Sequence, residues 1–274
     1  MQQSGTECEF SNSDSWVILS PIEQSIKRKI EAVGTPLKDW DIQINYGIKT
    51  GYNDAFIIDT AKRDEILANC QSEDEHKRTA ELIRPILRGR DIKRYGYTWA
   101  NLWLINTHNG IRGKLERIHI EDYPAVKAHL DQYWDKISKR ADKGETPYNL
   151  RNCAYLDLFF QPHICWKAVG RNLAFALVEG GTFLTAPASF ISAGAYNDLI
   201  LAYLCSNVGK YFIYKNSDTT GAGDIMLNIQ SLIKFPVPHI SFENPPISDD
   251  CTNHFVYESY GFSKEEITYI EEQI

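Results

Sequence analysis

One pair of sequence segments has residue types and spacing that could bind a metal ion and cleave a phosphodiester. Asp59 follows an apolar run, and Glu75 and Lys77 form a Glu-x-Lys arrangement further along the chain. Metal-dependent nucleases use such carboxylates to hold Mg²⁺ near a lysine. The segment 70–78 is polar, however, and Ser72 with Glu75 forms a helix-capping pattern where a nuclease needs a hydrophobic strand. We therefore expect the charged residues of segment 70–78 to face solvent on a helix. A Mg²⁺ nuclease that uses Asp59, Glu75 and Lys77 is kept as the enzyme alternative.

Other spacings that catalysis requires are missing from the sequence. It contains no P-loop, no Gly-x-Ser-x-Gly pattern and no Gly-x-Gly-x-x-Gly that opens a helix after a strand. Gly221 and Gly223 follow a helix and a loop instead. His163 and Cys165 form an isolated pair on an apolar strand, without a second pair to complete four zinc ligands. We therefore expect no catalytic residue and no metal site in this chain.

Positive charge is concentrated in one part of an otherwise acidic chain. The net charge is −7, yet residues 84–117 carry eight basic and two acidic side chains, a local charge of +6. The remaining residues sum to −13, and after Lys234 eight acidic residues stand against one lysine. Such segregation favours a phosphate-facing surface on a protein that does not bind nucleic acid indiscriminately. A solvated basic face, incidental to function, is the alternative.

The basic window also combines arginine with glycine and tyrosine, as in RGRDIKRYGY at residues 88–97. An arginine fork can bind a phosphate or two guanine acceptors, and glycine lets the backbone approach a duplex closely. Tyrosine can stack or hydrogen-bond to phosphate. The combination is typical of a DNA-binding surface.

Composition indicates a soluble globular protein. The 274 residues are 43% apolar and 24% charged, and the six cysteines include no Cys-x-x-Cys pair. We interpret these cysteines as free cytosolic thiols. No apolar stretch reaches the roughly 18 residues of a membrane span, and the first residues do not resemble a signal peptide. The sequence therefore predicts a cytoplasmic protein with no membrane contact.

Capping and periodicity patterns predict mixed helices and strands. Ser20, Pro21 and Glu23 begin a helix that Gly34 closes, and Ser263 with Glu266 begins the final one. The strand predictions are residues 41–49 and 55–58, joined by a turn at 50–53, and also 102–105, 163–169 and 173–178. The further helix predictions are 60–69, the segment after Ser72, one amphipathic helix over 122–141, and a long helix over 197–215.

These elements show no regular βαβ alternation, so the sequence predicts an α+β fold with a mixed sheet and packed helices. We predict a flexible N-terminal segment at residues 1–20 and an α+β core at residues 21–190. Residues 191–274 are predicted to form a helical part that packs on the same unit.

Several segments together resemble a known protein family. The most specific are YGIKTGYNDAFII at residues 46–58 and IRPILRGRDIKRY at residues 83–95, in that order. Weaker matches are YNLRNC at 148–153 leading to PHICW at 162–166, AYLCSN at 202–207, FPVP at 235–238 and YESYGFSKEEI at 257–267. From about Ile42 to its end, the chain resembles the C-terminal target-recognition region of type IIG restriction-modification enzymes and related adenine-N6 DNA methyltransferases, the TaqI-like specificity domain.

The resemblance implies a module that reads double-stranded DNA through the major groove and positions it for adenine methylation and cleavage. The Asn-Pro-Pro-Tyr motif of the methyltransferases is absent. We expect the chain to be a fragment or an autonomous specificity subunit, not itself an enzyme. Its partners would be DNA and methyltransferase and endonuclease domains in cis or in trans, which would bind S-adenosylmethionine and Mg²⁺.

The predicted DNA-binding residues come from the two specific motifs and from the remainder of the basic window. They are Lys49, Thr50, Tyr52, Asn53, Arg88, Arg90, Lys93, Arg94, Arg112 and Lys114. A protein-interaction domain that docks through the helices after Asn197, with an incidental basic patch, is the second alternative. Binding that does not weaken with added salt would favour it.

Overall fold

The computed structural model describes residues 19–240 and 249–274. Most of the predicted flexible segment 1–20 lies outside these residues. The α-helices are α1 (Pro21–Val33), α2 (Asn53–Phe56), α3 (Thr60–Ala68), α4 (Glu73–Leu82), α5 (Pro124–Asp131), α6 (Trp134–Ile137), α7 (Asn197–Cys205), α8 (Asn207–Asn216), α9 (Ile229–Leu232), α10 (Asp249–Tyr260) and α11 (Lys264–Glu272). In the part of the chain that is described, none of these helices combines the length and apolar character of a membrane span.

The strands are short and form four sheets within the described ranges. They are β1 (Thr35–Pro36), β2 (Gln43–Tyr46), β3 (Ile57–Asp59), β4 (Ile83–Leu87), β5 (Leu102–Ile105), β6 (His163–Trp166), β7 (Val169–Gly170), β8 (Phe175–Val178), β9 (Phe183–Leu184), β10 (Ser189–Ser192), β11 (Asp218–Thr219), β12 (Ile225–Met226) and β13 (Pro236–Val237). Two sheets have four strands, in the orders β2-β10-β6-β8 and β3-β5-β4-β9. All pairs are antiparallel except β4 with β9, which is parallel. The predicted α+β class with mixed strands is confirmed.

Helix boundaries set by local capping agree with the sequence. The Ser20 hydroxyl accepts a hydrogen bond from the Glu23 amide, and the Glu23 carboxylate accepts one from the Ser20 amide, which completes the predicted capping box of α1. Ser263 and Glu266 do the same for α11. Both devices satisfy amide groups that have no partner inside the helix, so a window of four residues suffices to predict them.

The predicted hairpin over residues 41–58 is wrong. Residues 53–56 form helix α2, and the strands on either side belong to different sheets, because β2 pairs with β10 and β3 pairs with β5. Ala55 and Phe56 are fully buried, and a short buried apolar run fits a helical turn as well as a strand. The polypeptide between Tyr46 and Ile57 therefore crosses from one sheet to the other.

Two predicted long helices are each broken. The amphipathic pattern over 122–141 divides into α5 and α6, and Trp134 is exposed instead of facing the core. The pattern over 197–215 divides at Ser206 into α7 and α8, because the Ser206 hydroxyl accepts a hydrogen bond from the Gly209 amide at 3.0 Å and caps a new helix. Apolar spacing continues across both breaks, so periodicity alone did not reveal them.

The described residues form two hydrophobic clusters. The first lies around β3, β4, β5 and β9 and contains Phe56, Leu104 and Phe183. The second joins Ile26 of α1 to Tyr203 of α7 and to residues of α10 and α11. The division into residues 21–190 and 191–274 stays a prediction, and α1, from the first of these stretches, packs with the helices of the second. Residues of both clusters line the candidate site.

Candidate nucleic-acid interface

A cleft of about 1110 Å³ lies where the segment after β4, the end of β6 and helix α8 meet. Six basic side chains line it: Arg88, Arg90, Lys93, Arg94, Lys167 and Lys210. No aspartate or glutamate does so among the described residues. The cleft therefore concentrates basic side chains in a protein whose net charge is −7.

Arg88 is held by an acidic residue three positions later. Its Nε and Nη2 atoms donate to the two carboxylate oxygens of Asp91 at 2.9 and 2.8 Å, and its amide donates to Asp91 at 2.8 Å. Burial raises the pKa of the Asp91 carboxyl, but the hydrogen bonds from Arg88 outweigh it and the pKa lies below its ordinary value. Arg88 thus fixes the turn at Gly89–Asp91. Because Asp91 neutralises part of its charge, Arg88 adds less positive charge to the cleft than an unpaired arginine would.

Arg94 connects the basic motif to the C-terminal helices. Its Nη1 lies 2.7 Å from a carboxylate oxygen of Asp249 in α10, and its Nη2 donates to the carbonyl of Cys205 at 2.7 Å. The guanidinium also lies over the Tyr95 ring, 5.1 Å from its centroid. Arg94 therefore anchors the wall of the cleft.

Arg90 and Lys93, from the same motif, are exposed and form no ion pair with any described residue. The Lys93 ammonium donates to the backbone carbonyl of Arg90 at 3.3 Å, which keeps the Lys93 side chain close to the turn that carries Arg90. Unpaired cations that keep their water are available to bind phosphate. These two residues are the strongest phosphate-binding candidates of the predicted set.

Lys167 and Lys210 enter the cleft from elements that the sequence did not single out. Lys167 follows β6, and its side chain passes over Gly170, where a Cβ would lie 2.6 Å from the ammonium nitrogen. Lys210 lies on α8, and burial, with a smaller contribution from Arg94, lowers the pKa of its ammonium group. Neither forms an ion pair with a described residue. Nothing in their local sequence distinguishes them, since folding alone brings them to Arg88–Arg94.

The predicted residues of the first motif form a turn beside the cleft. This Thr50 turn, residues 49–54, lines a second depression of about 600 Å³ together with Asp142, Ala186 and Pro187. Thr50 is buried and its hydroxyl donates to the Asn53 side-chain oxygen at 2.6 Å, while Lys49 and Asn53 are exposed. Tyr52 is half-buried, with its ring 6.1 Å from that of Tyr133. Lys49 and Asn53 therefore face solvent, and Thr50 shapes the turn from inside.

Shared lining residues connect the cleft and the Thr50 turn. Asn53 and Pro187 line both the cleft and the second depression, and Lys49 lines the second and a third. Residues 152–154 line both the third depression and a fourth one. Arg112 also lines the fourth depression. Lys114 is exposed on the loop beside Arg112 and does not line it. The structure thus brings the two motifs together and places Arg112 further along the same surface.

The two carboxylates of the nuclease alternative both make structural contacts. Asp59 caps α3 by accepting from the Lys62 amide at 2.7 Å. Glu75 is buried, and its two oxygens accept from the backbone amides of Gln71 and Ala125 at 2.7 and 2.9 Å. Across residues 19–240 and 249–274, no group of three or more histidine, cysteine or acidic side chains could hold a metal ion. Glu75 is therefore a structural carboxylate that joins α4 to α5.

Comparison with known proteins gives one family match. The family described as the TaqI-like C-terminal specificity domain matches residues 84–237. This range contains Arg88, Arg90, Lys93, Arg94, Lys167 and Lys210, and leaves the Thr50 turn outside. The type II methyltransferase M.BstVI of Geobacillus stearothermophilus is 22% identical over 283 aligned residues, which cover 97% of this chain and 47% of that protein.

Solved structures of restriction enzymes are among those that share the fold. The type IIL restriction-modification enzyme MmeI, determined in complex with DNA, has a TM-score of 0.59 at 12% identity, over 87% of this chain and 36% of that one. The type IIG restriction endonuclease BpuSI has a TM-score of 0.51 at 14% identity, over 92% of this chain and 28% of that one. The chain spans about half the length of the curated relative and a smaller share of both enzymes.

Proposed function

Because this chain belongs to the family of TaqI-like C-terminal specificity domains, we propose that it reads a double-stranded DNA sequence within a restriction-modification system. The family match confirms the resemblance predicted from the sequence, and the chain is a specificity domain, not a catalytic one. It positions DNA for adenine methylation and cleavage by methyltransferase and endonuclease domains in cis or in trans. Those domains bind S-adenosylmethionine and Mg²⁺.

The observation that carries this proposal is the cleft lined by six basic and no acidic side chains among the described residues. A duplex presents a phosphate roughly every 1.7 Å of its axis, so closely spaced cations from several elements match it well. The net charge of −7 disfavours binding at other faces of the chain. The cleft thus supplies affinity for duplex DNA of any sequence.

The Thr50 turn supports the sequence-reading part of the proposal. Its exposed Asn53 lines both the cleft and the second depression, and the exposed Lys49 lines the second depression beside it. The side-chain oxygen of Asn53 accepts a hydrogen bond from the Thr50 hydroxyl, so the side-chain NH₂ group of Asn53 remains as a donor. A donor in the major groove distinguishes base pairs by the acceptors that they present, which are purine N7, guanine O6 and thymine O4. Phosphates bound in the cleft would hold the duplex so that this donor meets a base edge.

Selection from random duplex DNA tests the proposal. The purified chain is incubated with a random library at low and at moderate salt, without Mg²⁺, and bound duplexes are sequenced. We expect one short motif to be enriched at both salt concentrations. Binding without an enriched motif would contradict sequence reading, and binding insensitive to salt would favour the protein-interaction alternative.

A further inference from the structure

Arg140 is a buried cation whose guanidinium contacts no carboxylate of the described residues. It follows α6, and only 7% of its surface is exposed. Its Nη1 donates to the carbonyls of Thr50 and Asp142, and its Nη2 donates to those of Pro147 and Asn149. The guanidinium also lies over the Phe56 ring, 4.4 Å from its centroid. Burial lowers the pKa of Arg140 to about 10, so the group stays charged at neutral pH.

These four carbonyls belong to two segments that meet only through folding. One is the Thr50 turn, and the other is the loop of residues 142–149. Gly51 has φ +70°, and a Cβ on it would lie 2.9 Å from the Asp142 carbonyl oxygen. The two backbones are therefore in direct contact, and Arg140 hydrogen-bonds to both sides of that contact.

The Thr50 turn, which Arg140 holds, carries the side chains that we propose read the DNA sequence. Thr50, whose carbonyl Arg140 binds, donates through its hydroxyl to the Asn53 oxygen at 2.6 Å. Asp142, bound through its carbonyl, lines the same depression as Lys49 and Asn53. A chain of contacts thus leads from the buried guanidinium to the exposed amide of Asn53. A planar fork with several donors fixes such a geometry better than a flexible ammonium group does.

We propose that Arg140 is a positioning residue for sequence reading, which holds the Thr50 turn in the conformation that presents Asn53 and Lys49 to the bases. The inference rests on the proposed function and extends it to a residue that does not reach the DNA. Loss of Arg140 leaves the cations of the cleft in place, so affinity for DNA of any sequence is kept while sequence preference is lost.

The test compares two duplexes of equal length and composition, the motif that the wild-type chain selects and a scrambled version. Binding constants for the full chain are measured by fluorescence anisotropy at one salt concentration, together with thermal unfolding. For Arg140→Met we expect the ratio of the two affinities to fall about tenfold or more. Arg140→Lys, which keeps three donors and the charge, should lose less. Lys136→Met removes an exposed charge from the same stretch of chain and should leave the ratio unchanged.

Gly51→Ala keeps the test informative if Arg140→Met does not fold. This substitution disturbs the contact between the Thr50 turn and Asp142 while Arg140 stays in place. We expect it also to lower the ratio of the affinities for the selected and scrambled duplexes. A purely structural role for Arg140 would lower the unfolding temperature and reduce both affinities by the same factor, since only the folded fraction would change. A folded Arg140→Met variant that keeps the wild-type ratio, or, where Arg140→Met does not fold, a folded Gly51→Ala variant that keeps it, would overturn the inference alone. A wild-type chain without sequence preference would overturn the proposed function, and this inference with it.

Discussion

The cleft and the Thr50 turn present their polar groups in different ways. Four of the six cations in the cleft have no ion-pair partner among the described residues, and they extend from three separate elements on long side chains. The turn has fewer charges, but the buried Thr50 and Arg140 hold its backbone. Long unpaired cations suit phosphates, which every duplex presents alike, and a fixed turn suits base edges, which differ. The comparison indicates that separate regions supply affinity and specificity.

Reversing charge in the cleft should give the largest effect. For the double variant Arg90→Glu with Lys93→Glu we expect affinity for any duplex to fall on the order of 100-fold at low salt, because two phosphate contacts become repulsive. Anisotropy titrations with the selected and scrambled duplexes would measure this. A control, Lys77→Glu with Lys136→Glu, changes the net charge equally at exposed positions outside the cleft. An equal loss in the control would mean that overall charge, not the cleft, governs binding.

Truncating the turn should have a smaller and more selective effect. Asn53→Ala removes the exposed amide donor, and we expect it to cost about 1–3 kcal/mol of binding free energy on the selected motif. Affinity for the scrambled duplex should stay near that of wild type. Asn216→Ala, an exposed position on α8 that does not line the cleft, is the matched control. Equal losses on both duplexes would place Asn53 on a phosphate and remove the distinction between the two regions.

Breaking the pair of Arg88 with Asp91 should affect stability more than binding. Asp91→Asn leaves Arg88 without its charged partner, and we expect a loss of about 1–3 kcal/mol in the free energy of unfolding, measured with urea. The pKa of Asp91 lies below its ordinary value of 3.8. The stabilisation is therefore present above that value and lost as the pH falls below it. The difference between wild type and variant should shrink below pH 3.8, and a difference that is the same at all pH values would contradict this role.

What the sequence could predict depends on how far apart the interacting residues lie. The capping boxes at Ser20 and Ser263 involve residues within one helical turn, and both were predicted. The pairing of β2 with β10 joins residues about 145 positions apart, and local pattern favoured a hairpin with the nearer strand instead. The break at Ser206 has a local part, the Ser206 cap on Gly209, which a continuous apolar pattern obscured, and a distant part, the hydrogen bond from the Asn207 amide to Asn253.

The candidate site follows the same rule. Arg88, Arg90, Lys93 and Arg94 are neighbours in sequence, so charge and motif revealed them together. Their division into paired and unpaired cations depends in part on Asp249, 155 positions from Arg94, and could not be predicted. Lys167 and Lys210 reach the cleft, and Arg140 reaches the Thr50 turn, only through tertiary packing.

The dependence of binding on salt tests the separation of affinity from specificity most directly. The slope of log Kd against log salt concentration is measured for the selected and scrambled duplexes with wild type, with Arg90→Ala plus Lys93→Ala, and with Asn53→Ala. We expect the cleft variant to lower the slope by about 2 on both duplexes, and the turn variant to keep the wild-type slope while losing preference for the motif. A turn variant that lowers the slope as much as the cleft variant, or a cleft variant with an unchanged slope, would contradict the assignment of the two regions.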